Sequence, residues 1–265
     1  MPRDQHASRS TRAAARRLAR WTQQAEELPL RRDMVALLTY LRDNRVTGTQ
    51  STGNLTLKAV REVTARFVHP PQLDTTIGDR TYRLRTEYEV WPLYFLHTLA
   101  EVGGLVAGGP SRRWRFTSEG ARFLSAIPPV QVWVLLVFWW KYVNWLIAYP
   151  FGRMDEDLPL RFEEITLAHT LSLPVDTRIP FEPFADELIQ ETGLACTAPD
   201  VTYARMVLHT AISHMIVDIL ADFGVLEREY QDEPLGKGTT RELIAFRVTP
   251  FGRDLLEALA AHSVE

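Results

Sequence analysis

The sequence has very little cysteine: Cys196 is the single thiol in 265 residues. One thiol excludes an internal disulfide and any zinc site built from several cysteines. A chain without disulfides fits a reducing compartment. The chain is nevertheless 46% hydrophobic and 24% charged, which is the composition of a folded protein rather than a disordered one.

Long hydrophobic runs are also missing. The best membrane candidate is VWVLLVFWW, nine apolar residues from Val132 to Trp140, and Lys141 and Asn144 follow it closely. A membrane-spanning helix needs about 20 predominantly apolar residues. The start, MPRDQHASRSTRAAARRLARW, has no apolar core of the secretory type, although transit peptides share its Arg-rich, acid-poor character. We expect a cytoplasmic protein that makes no membrane contact.

Catalytic motifs are absent as well. His214 and Asp218 stand four residues apart and could supply two metal ligands, but a third ligand and an HExxH pattern are missing. LGKGTT at 235–240 lacks the glycine that a phosphate-binding loop needs, because Gln231 occupies that position. No nucleophile has a base at a recognisable spacing. We predict no catalytic residue, no metal site, no cofactor and no enzymatic activity.

Charge is divided unevenly along the chain. Residues 1–153 hold 22 Lys and Arg against 12 Asp and Glu, whereas residues 154–265 hold 8 against 21. The balances of +10 and −13 give the net charge of −3. Two halves of opposite charge suggest different partners, or two domains whose faces complement each other.

An internal repeat underlies these halves. LAEVGGLV at 99–106 aligns with LADFGVLE at 220–227 at an offset of 121, and WRFTSEGARFL aligns with FRVTPFGRDLL at an offset of 132. Gly103 and Gly224 suit the left-handed position after a helix. Thr117 and Thr249 suit the N-cap of a following helix, which Pro250 would begin in the second copy.

Hydrophobic spacing extends each copy backwards. The first half predicts a helix over 33–44, a short strand in VTGTQ, a helix capped by Thr56, and a third helix over 91–102. The second half predicts helices near 161–172, 183–191 and 203–223, with a strand in VDTRIPF. Helix, strand, two helices, hairpin and helix thus occur twice.

These residues resemble a family. YFLHTLAEVGGLV followed by RRWRFTSEGARFL is similar to the recognition helix, wing and final helix of bacterial winged-helix proteins of the MarR type. TGNLTLKAVREV with the later wing also resembles the winged-helix repeats of XPB-like helicases. The loop from His69 to Val90 is longer than the usual pattern. The resemblance implies a fold and leaves function open.

The expected fold class is mainly α with small β-hairpins, arranged as two winged-helix domains joined by a Trp-rich helix. Four of the seven tryptophans lie between Val130 and Tyr149. A helix that is apolar on every face must be covered on every side, either between two domains or across a homodimer. The predicted boundaries are a basic arm (1–29), a first winged helix (30–127), the linking helix (128–153) and a second, acidic winged helix (154–265).

Non-enzymatic DNA binding through the basic half, with a role in transcription regulation, is the leading functional hypothesis. In this use the third helix enters the major groove and the wing contacts the backbone. On helix 91–102 we expect Phe95, Leu96, Leu99 and Val102 inside, and Tyr94, His97, Thr98 and Glu101 outside. In the wing, Trp114 and Phe116 would face the core while Arg113 and Arg115, with Arg112, face solvent. An edge strand protected by charge would give the same pattern.

The N-terminal arm adds further basic residues. If SRSTRAAARRLARW is helical, several arginines fall on one side and could bind nucleic acid, or they could form a solvated tail. These arginines are Arg9, Arg12, Arg16, Arg17 and Arg20.

The second repeat points to a different partner. Its third helix carries His214, Asp218 and Asp222, and acidic groups there would oppose DNA. We expect this half to bind a protein or to make an intramolecular contact, as in the tandem winged-helix subunits of chromosome-organising complexes, which it resembles in outline. An adaptor subunit of a larger complex is therefore the alternative function.

Overall fold

The computed structural model describes residues 17–77, 79–149, 157–198, 200–235 and 238–262. In these residues the chain is mainly helical and has small antiparallel sheets, which confirms the predicted fold class at this level. The chain divides into two compact units, Met1–Val143 and Asn144–Glu265. The division falls inside the segment 128–153, which the sequence predicts as a separate linking helix.

The described residues of the N-terminal unit form six helices and two short hairpins. In chain order they are a helix over residues 17–27 (α1), α2 (Pro29–Asp43), α3 (Leu57–Thr64), β1 (Thr75–Ile77), β2 (Arg80–Tyr82), a 3-10 turn (Glu87–Glu89), α4 (Trp91–Val102), β3 (Val106–Ala107), β4 (Arg115–Phe116), α5 (Ser118–Ser125) and α6 (Pro128–Tyr142). An isolated antiparallel bridge joins Thr47 to Arg113 in the segment where VTGTQ predicts a strand. Thr56 caps α3 as predicted, because its hydroxyl accepts a bond from the Ala59 N–H (3.4 Å).

The Trp-rich segment is not one helix. α6 ends at Tyr142, and a separate 3-10 turn over Trp145–Ala148 follows in the second unit, so the expected continuous helix from Val130 to Tyr149 is wrong. Asn144 explains the break: its side chain accepts a bond from the Leu146 N–H (3.0 Å) and begins the new turn. α6 packs on α2 and α4, with Trp139 edge-on to Phe95 at 5.3 Å between ring centroids.

The C-terminal unit repeats the order of elements. Its members are the 3-10 turn Trp145–Ala148, α7 (Phe162–Ser172), β5 (Ile179–Pro180), α8 (Phe181–Thr192), α9 (Val201–Ile212), a π-helical turn (Ser213–Asp218), α10 (Ile219–Asp222), β6 (Leu226–Leu235), β7 (Gly238–Val248) and α11 (Pro250–His262). The sheet order is β5-β7-β6, with β7 antiparallel to both neighbours. The hairpin of β6 and β7 is much longer than that of β3 and β4.

The continuous helical stretch Val201–Asp222 is the one described segment long and apolar enough to cross a membrane by length and composition. A helix in the core of a protein passes the same test. Here Ile212, Met215 and Ile216 are buried in the unit.

The two units share one junction in atomic detail. Where α4 ends, the Thr117 hydroxyl donates to the Gly104 carbonyl (2.7 Å), and where α10 ends, the Thr249 hydroxyl donates to the Gly224 carbonyl (2.8 Å). The same hydroxyls cap α5 and α11 by accepting from the Gly120 N–H (3.0 Å) and the Gly252 N–H (2.8 Å). The predicted threonine caps are confirmed, and Pro250 begins α11 as expected.

The junction corrects the predicted alignment by one residue. Gly103 has a right-handed helical conformation, and Gly104 (φ +65°) is the counterpart of Gly224 (φ +72°). Both sites close the helix in the same way, with Leu105 N–H bonded to Ala100 O and Val225 N–H bonded to Leu220 O, each at 2.8 Å. The offset at the helix end is therefore 120, and the sequence alignment mistook the first glycine of a Gly-Gly pair for the second.

The junction predicts that glycine is required at the third position of α5 and α11. A Cβ on Gly120 would lie 2.5 Å from Leu105 O, and one on Gly252 would lie 2.2 Å from Val225 O. We expect Gly120→Ala and Gly252→Ala each to lower the free energy of unfolding by roughly 1–3 kcal/mol, as overpacking does. Urea unfolding followed by circular dichroism measures this. The neighbouring exposed change Ala121→Ser is the control, and stabilisation by either alanine would contradict the shared junction.

Candidate nucleic-acid interface

The turn between β3 and β4 is fastened to a neighbouring loop, residues 48–54, which we call the glycine loop. The Gly48 N–H donates to the Arg112 carbonyl (2.9 Å), and the Ser111 N–H donates to the Thr49 carbonyl (3.2 Å). From the other direction the Trp114 indole N–H donates to the Gly53 carbonyl (2.8 Å). These bonds hold the backbone of the turn at several points along its length.

Glycines allow this close contact. A Cβ on Gly48 would lie 2.4 Å from the Gly109 carbonyl oxygen, and one on Gly53 would lie 2.8 Å from the Gly109 carbonyl carbon. Gly53 also has φ +81°, which favours glycine. Two backbones can therefore touch without intervening side chains, and the turn is fixed by its own main chain.

Three arginines project from this fixed turn. Arg112, Arg113 and Arg115 are exposed, and within the described part of the chain none of their side chains makes a hydrogen bond or an ion pair. Trp114 is buried at 2% exposure between them, as the period-two alternation predicts. The turn thus presents three guanidinium groups to solvent from a rigid support.

Arginines in the C-terminal unit are paired instead. Each described arginine there bonds to a carboxylate or, for Arg253, to the carbonyls of Leu171 and Leu173. The ion-paired set is Arg161, Arg178, Arg205, Arg228, Arg241 and Arg247. Free arginines in the described residues therefore belong to the N-terminal unit.

α4 offers a smaller polar surface than the sequence predicts. His97, expected outside, is 5% exposed, and its Nδ1–H donates to Glu87 Oε1 (2.7 Å) while its ring lies edge-on to Trp114 at 4.3 Å. The prediction that His97 faces a ligand is wrong, because Glu87 turns the imidazole into the core. Val102, expected inside, is 41% exposed.

Tyr94 and Thr98 remain half-exposed on α4, next to the exposed Glu101. Burial raises the pKa of Tyr94, and the neighbouring Tyr88 hydroxyl adds to the rise. The phenol is protonated at neutral pH, and its hydroxyl forms hydrogen bonds with the side chains of Thr98 and Tyr88. The Tyr88 ring, half-exposed, lies 4.5 Å from that of Tyr94 and widens the aromatic part of this surface.

The N-terminal arm is described only from residue 17. Arg17 and Arg20 lie exposed on α1, and the Arg17 guanidinium stands over the Trp21 ring at 4.6 Å. Arg9, Arg12 and Arg16, the other arginines predicted to bind nucleic acid, lie outside the described residues.

A buried polar network around Glu87 connects α4 to the segment next to the glycine loop. Glu87 is 1% exposed, and its second carboxylate oxygen accepts a bond from the Leu55 N–H (2.5 Å), next to the glycine loop. The first oxygen accepts from His97, whose other ring nitrogen is buried without a partner in the described residues. One carboxylate therefore joins α4, through His97, to the segment that carries the glycine loop.

The C-terminal unit has a groove of about 510 Å³ between α9 and the β6–β7 hairpin. Its polar side chains are already bonded to one another: Arg205 to Asp186 (2.8 Å), His209 to Asp186 (2.7 Å) and His214 to Asp218 (2.9 Å). The bonds from Arg205 and His209 lower the pKa of Asp186 to about 2. His214 and Asp218 are thus a structural pair, and no group of three or more His, Cys, Asp or Glu in the described residues could hold a metal ion.

Sequence reasoning missed two features. One is Glu87, whose partners lie 10 and 32 residues away along the chain and which no local pattern reveals. The other is the β1–β2 hairpin inside the long loop from His69 to Val90. TTI and RTY flank the pair Gly78-Asp79, and this is a two-residue hairpin signature that could have revealed it.

No protein-family model, no curated protein sequence and no solved structure matches this chain. What the protein does must accordingly be inferred from its own residues.

The Glu87 network predicts a large effect on stability. Glu87→Leu would leave the Leu55 N–H and the His97 N–H without acceptors, at about 1–3 kcal/mol for each buried donor. We expect the free energy of unfolding to fall by roughly 2–5 kcal/mol. Glu87→Gln, which keeps one carbonyl oxygen, should lose less. Chemical denaturation followed by tryptophan fluorescence measures both, with the exposed Glu101→Leu as the control; equal stability of Glu87→Leu and that control would refute the network.

Proposed function

We propose that the protein is a non-enzymatic DNA-binding protein with two winged-helix domains, and that its N-terminal unit binds DNA. The main support for this proposal is the set of unpaired arginines on the turn between β3 and β4. Arg112, Arg113 and Arg115 have no carboxylate partner in the described residues, and the turn that carries Arg112 and Arg113 is hydrogen-bonded to the glycine loop.

The order of elements supports the winged-helix part of the proposal. Each unit runs helix, short strand or bridge, two helices, hairpin and helix. In this interpretation α4 is the recognition helix and the β3–β4 hairpin is the wing. The wing would then contact phosphates beside the groove that α4 faces.

Free arginines on a rigid support suit phosphate binding. An arginine already paired with a carboxylate must break that pair before it binds a phosphate, whereas a free one exchanges only water and counterions. Neutralising each phosphate releases condensed counterions, which is the main source of non-specific affinity. The turn loses little conformational entropy on binding because its backbone is already bonded to Gly48 and Thr49, and the Trp114 indole to Gly53.

Sequence reading through α4 would depend on few groups. With His97 buried, the half-exposed Tyr94 and Thr98 remain as hydrogen-bonding side chains, beside the acidic Glu101. Base discrimination normally requires bidentate contacts from Arg, Asn or Gln. We therefore propose binding that depends mainly on the phosphate backbone and distinguishes sequences weakly, as an architectural or auxiliary DNA-binding subunit does.

An adaptor function is the second candidate, and the C-terminal groove favours it. The arginines beside it are tied to acidic groups, so this unit has no free guanidinium for phosphate among its described residues. Met206, 55% exposed at the groove, adds an apolar contact of the kind that protein partners bury. The protein partner, the homodimer and the cytoplasmic location expected from the sequence stay predictions.

The salt dependence of DNA binding tests the proposal. Wild-type affinity for a labelled duplex of mixed sequence should fall steeply as salt rises, with a log–log slope of about −0.9 for each neutralised phosphate. Replacing Arg113 and Arg115 by Ala should reduce the size of that slope by roughly 2, since two phosphate contacts are lost. Fluorescence anisotropy titrations at several salt concentrations measure the slope.

The matched control removes two paired arginines from the other unit. Arg178→Ala with Arg247→Ala changes the net charge equally, and each residue pairs with a glutamate, Glu229 or Glu227. We expect this control to keep the wild-type slope. Absence of binding by the wild-type protein at low salt would refute DNA binding and favour the adaptor, and equal loss in both variants would refute the assignment to the wing.

A further inference from the structure

The β1–β2 hairpin is a polar extension that the core of the N-terminal unit does not require. The side chains of this ribbon whose exposure the structure describes, Thr75, Thr76, Arg80, Thr81 and Tyr82, are all exposed, and they occupy both of its faces. A two-stranded hairpin without a buried face is marginally stable at best. Burial of apolar surface therefore does not account for its presence.

The base of this hairpin is nevertheless fixed. Asp74 accepts bonds from the Arg61 guanidinium (2.9 Å) and from the Leu84 N–H (3.1 Å), so one carboxylate joins α3 to both ends of the hairpin. The bond from Arg61 holds the pKa of Asp74 below its ordinary value, which keeps this acceptor ionised. Leu84, 6% exposed, anchors the segment that follows β2. The extension is thus firmly attached to the unit.

The hairpin and the segment that follows it, residues 83–86, carry more positive than negative charge, and most of the positive groups have no ion-pair partner in the described part of the chain. Arg80, Arg83 and Arg85 are exposed and form no hydrogen bond or ion pair through their side chains in the described residues. Arg83 is close enough to Asp74 to contribute to its lowered pKa, but the bonds to that carboxylate come from elsewhere. Asp79 at the tip is the opposing carboxylate. Tyr82, 52% exposed, stands in the same strand as Arg80.

This basic surface adjoins the same loop that supports the turn between β3 and β4. A depression of about 240 Å³ brings Arg85 together with Thr49, Ser51, Thr52 and Asn54 of the glycine loop. Thr49 also accepts the Ser111 N–H from the turn that carries Arg112 and Arg113. Arg85 and the turn that carries Arg112 and Arg113 therefore both border the glycine loop, whose hydroxyl groups add hydrogen-bond donors between them.

We infer that the β1–β2 hairpin and the segment that follows it, residues 83–86, form a second nucleic-acid contact, in which Arg80, Arg83 and Arg85 bind backbone phosphates of the duplex that the β3–β4 turn holds. This inference rests on the proposed function. The ligand chemistry is a phosphodiester backbone: guanidinium groups supply the charge, and the threonine and serine hydroxyls of the glycine loop complete a continuous polar surface. The long loop from His69 to Val90 then serves to enlarge the footprint on DNA.

The test replaces Arg80, Arg83 and Arg85 by Gln in the full-length chain. The size of the log–log salt slope should fall by about 2–3, because each lost phosphate contact removes ~0.9. Hydroxyl-radical footprinting of the bound duplex should show a shorter protected region, with loss at one end. Thermal melting should match that of the wild type, since all three side chains are exposed.

A matched control changes Arg161, Arg178 and Arg247 to Gln, which removes the same charge from ion pairs in the C-terminal unit. An equal effect of both triple variants would show that net charge alone matters and would overturn the inference. A wild-type slope and footprint in the hairpin variant, with loss in Arg113→Ala with Arg115→Ala, would overturn the inference and leave the proposed function standing. If the wild-type protein binds no duplex, both fall together.

Discussion

A threonine hydroxyl connects three elements in each unit of this protein. Thr117 and Thr249 each donate to the glycine carbonyl after α4 or α10 and accept from an N–H in the first turn of α5 or α11. The strand of the hairpin runs directly into this residue, so the same bonds set where the hairpin leaves the helices. Gly120 in α5 and Gly252 in α11 lie so close to the backbone carbonyls of Leu105 and Val225 that a Cβ would not fit. Two units with different side chains consequently share one backbone arrangement.

What differs between the units is the state of their arginines. In the C-terminal unit the described arginines are held by carboxylates or carbonyls, and the hairpin is long and rich in acidic residues. In the N-terminal unit the corresponding hairpin is short, its turn is bonded to the glycine loop, and its arginines are free within the described residues. The two units thus share a backbone arrangement but differ in charge pairing: among the described residues, one has paired arginines and the other has unpaired arginines. This difference is a physical basis for two kinds of partner.

Local patterns predicted the backbone well and the side-chain network poorly. The bounds of α4 and the caps at Thr56, Thr117 and Thr249 were predictable because helix periodicity and capping act within a few residues. The burial of His97 was not predictable. Helical spacing gives only the direction in which a residue of α4 points, whereas a bond to Glu87, outside the helix, holds this imidazole in the core. At the Gly-Gly pair 103–104 the predicted alignment of the two repeats was wrong by one residue, because either glycine fits the sequence signal for a helix end. The β1–β2 hairpin carried a turn signature, but its strands have three residues each, which is too short for alternation to be recognised.

Hydrogen–deuterium exchange with and without duplex DNA tests the central claim most directly, because it reports on every backbone segment of the whole chain at once. The account predicts slower exchange on DNA addition in the glycine loop (48–54), in the turn over 108–115 and in the segment 79–86, with no change in the helix Val201–Asp222 or in β6 (Leu226–Leu235). Protection confined to the C-terminal unit, or no protection in residues 48–54 and 108–115, would contradict the assignment of DNA binding to the free arginines of the N-terminal unit.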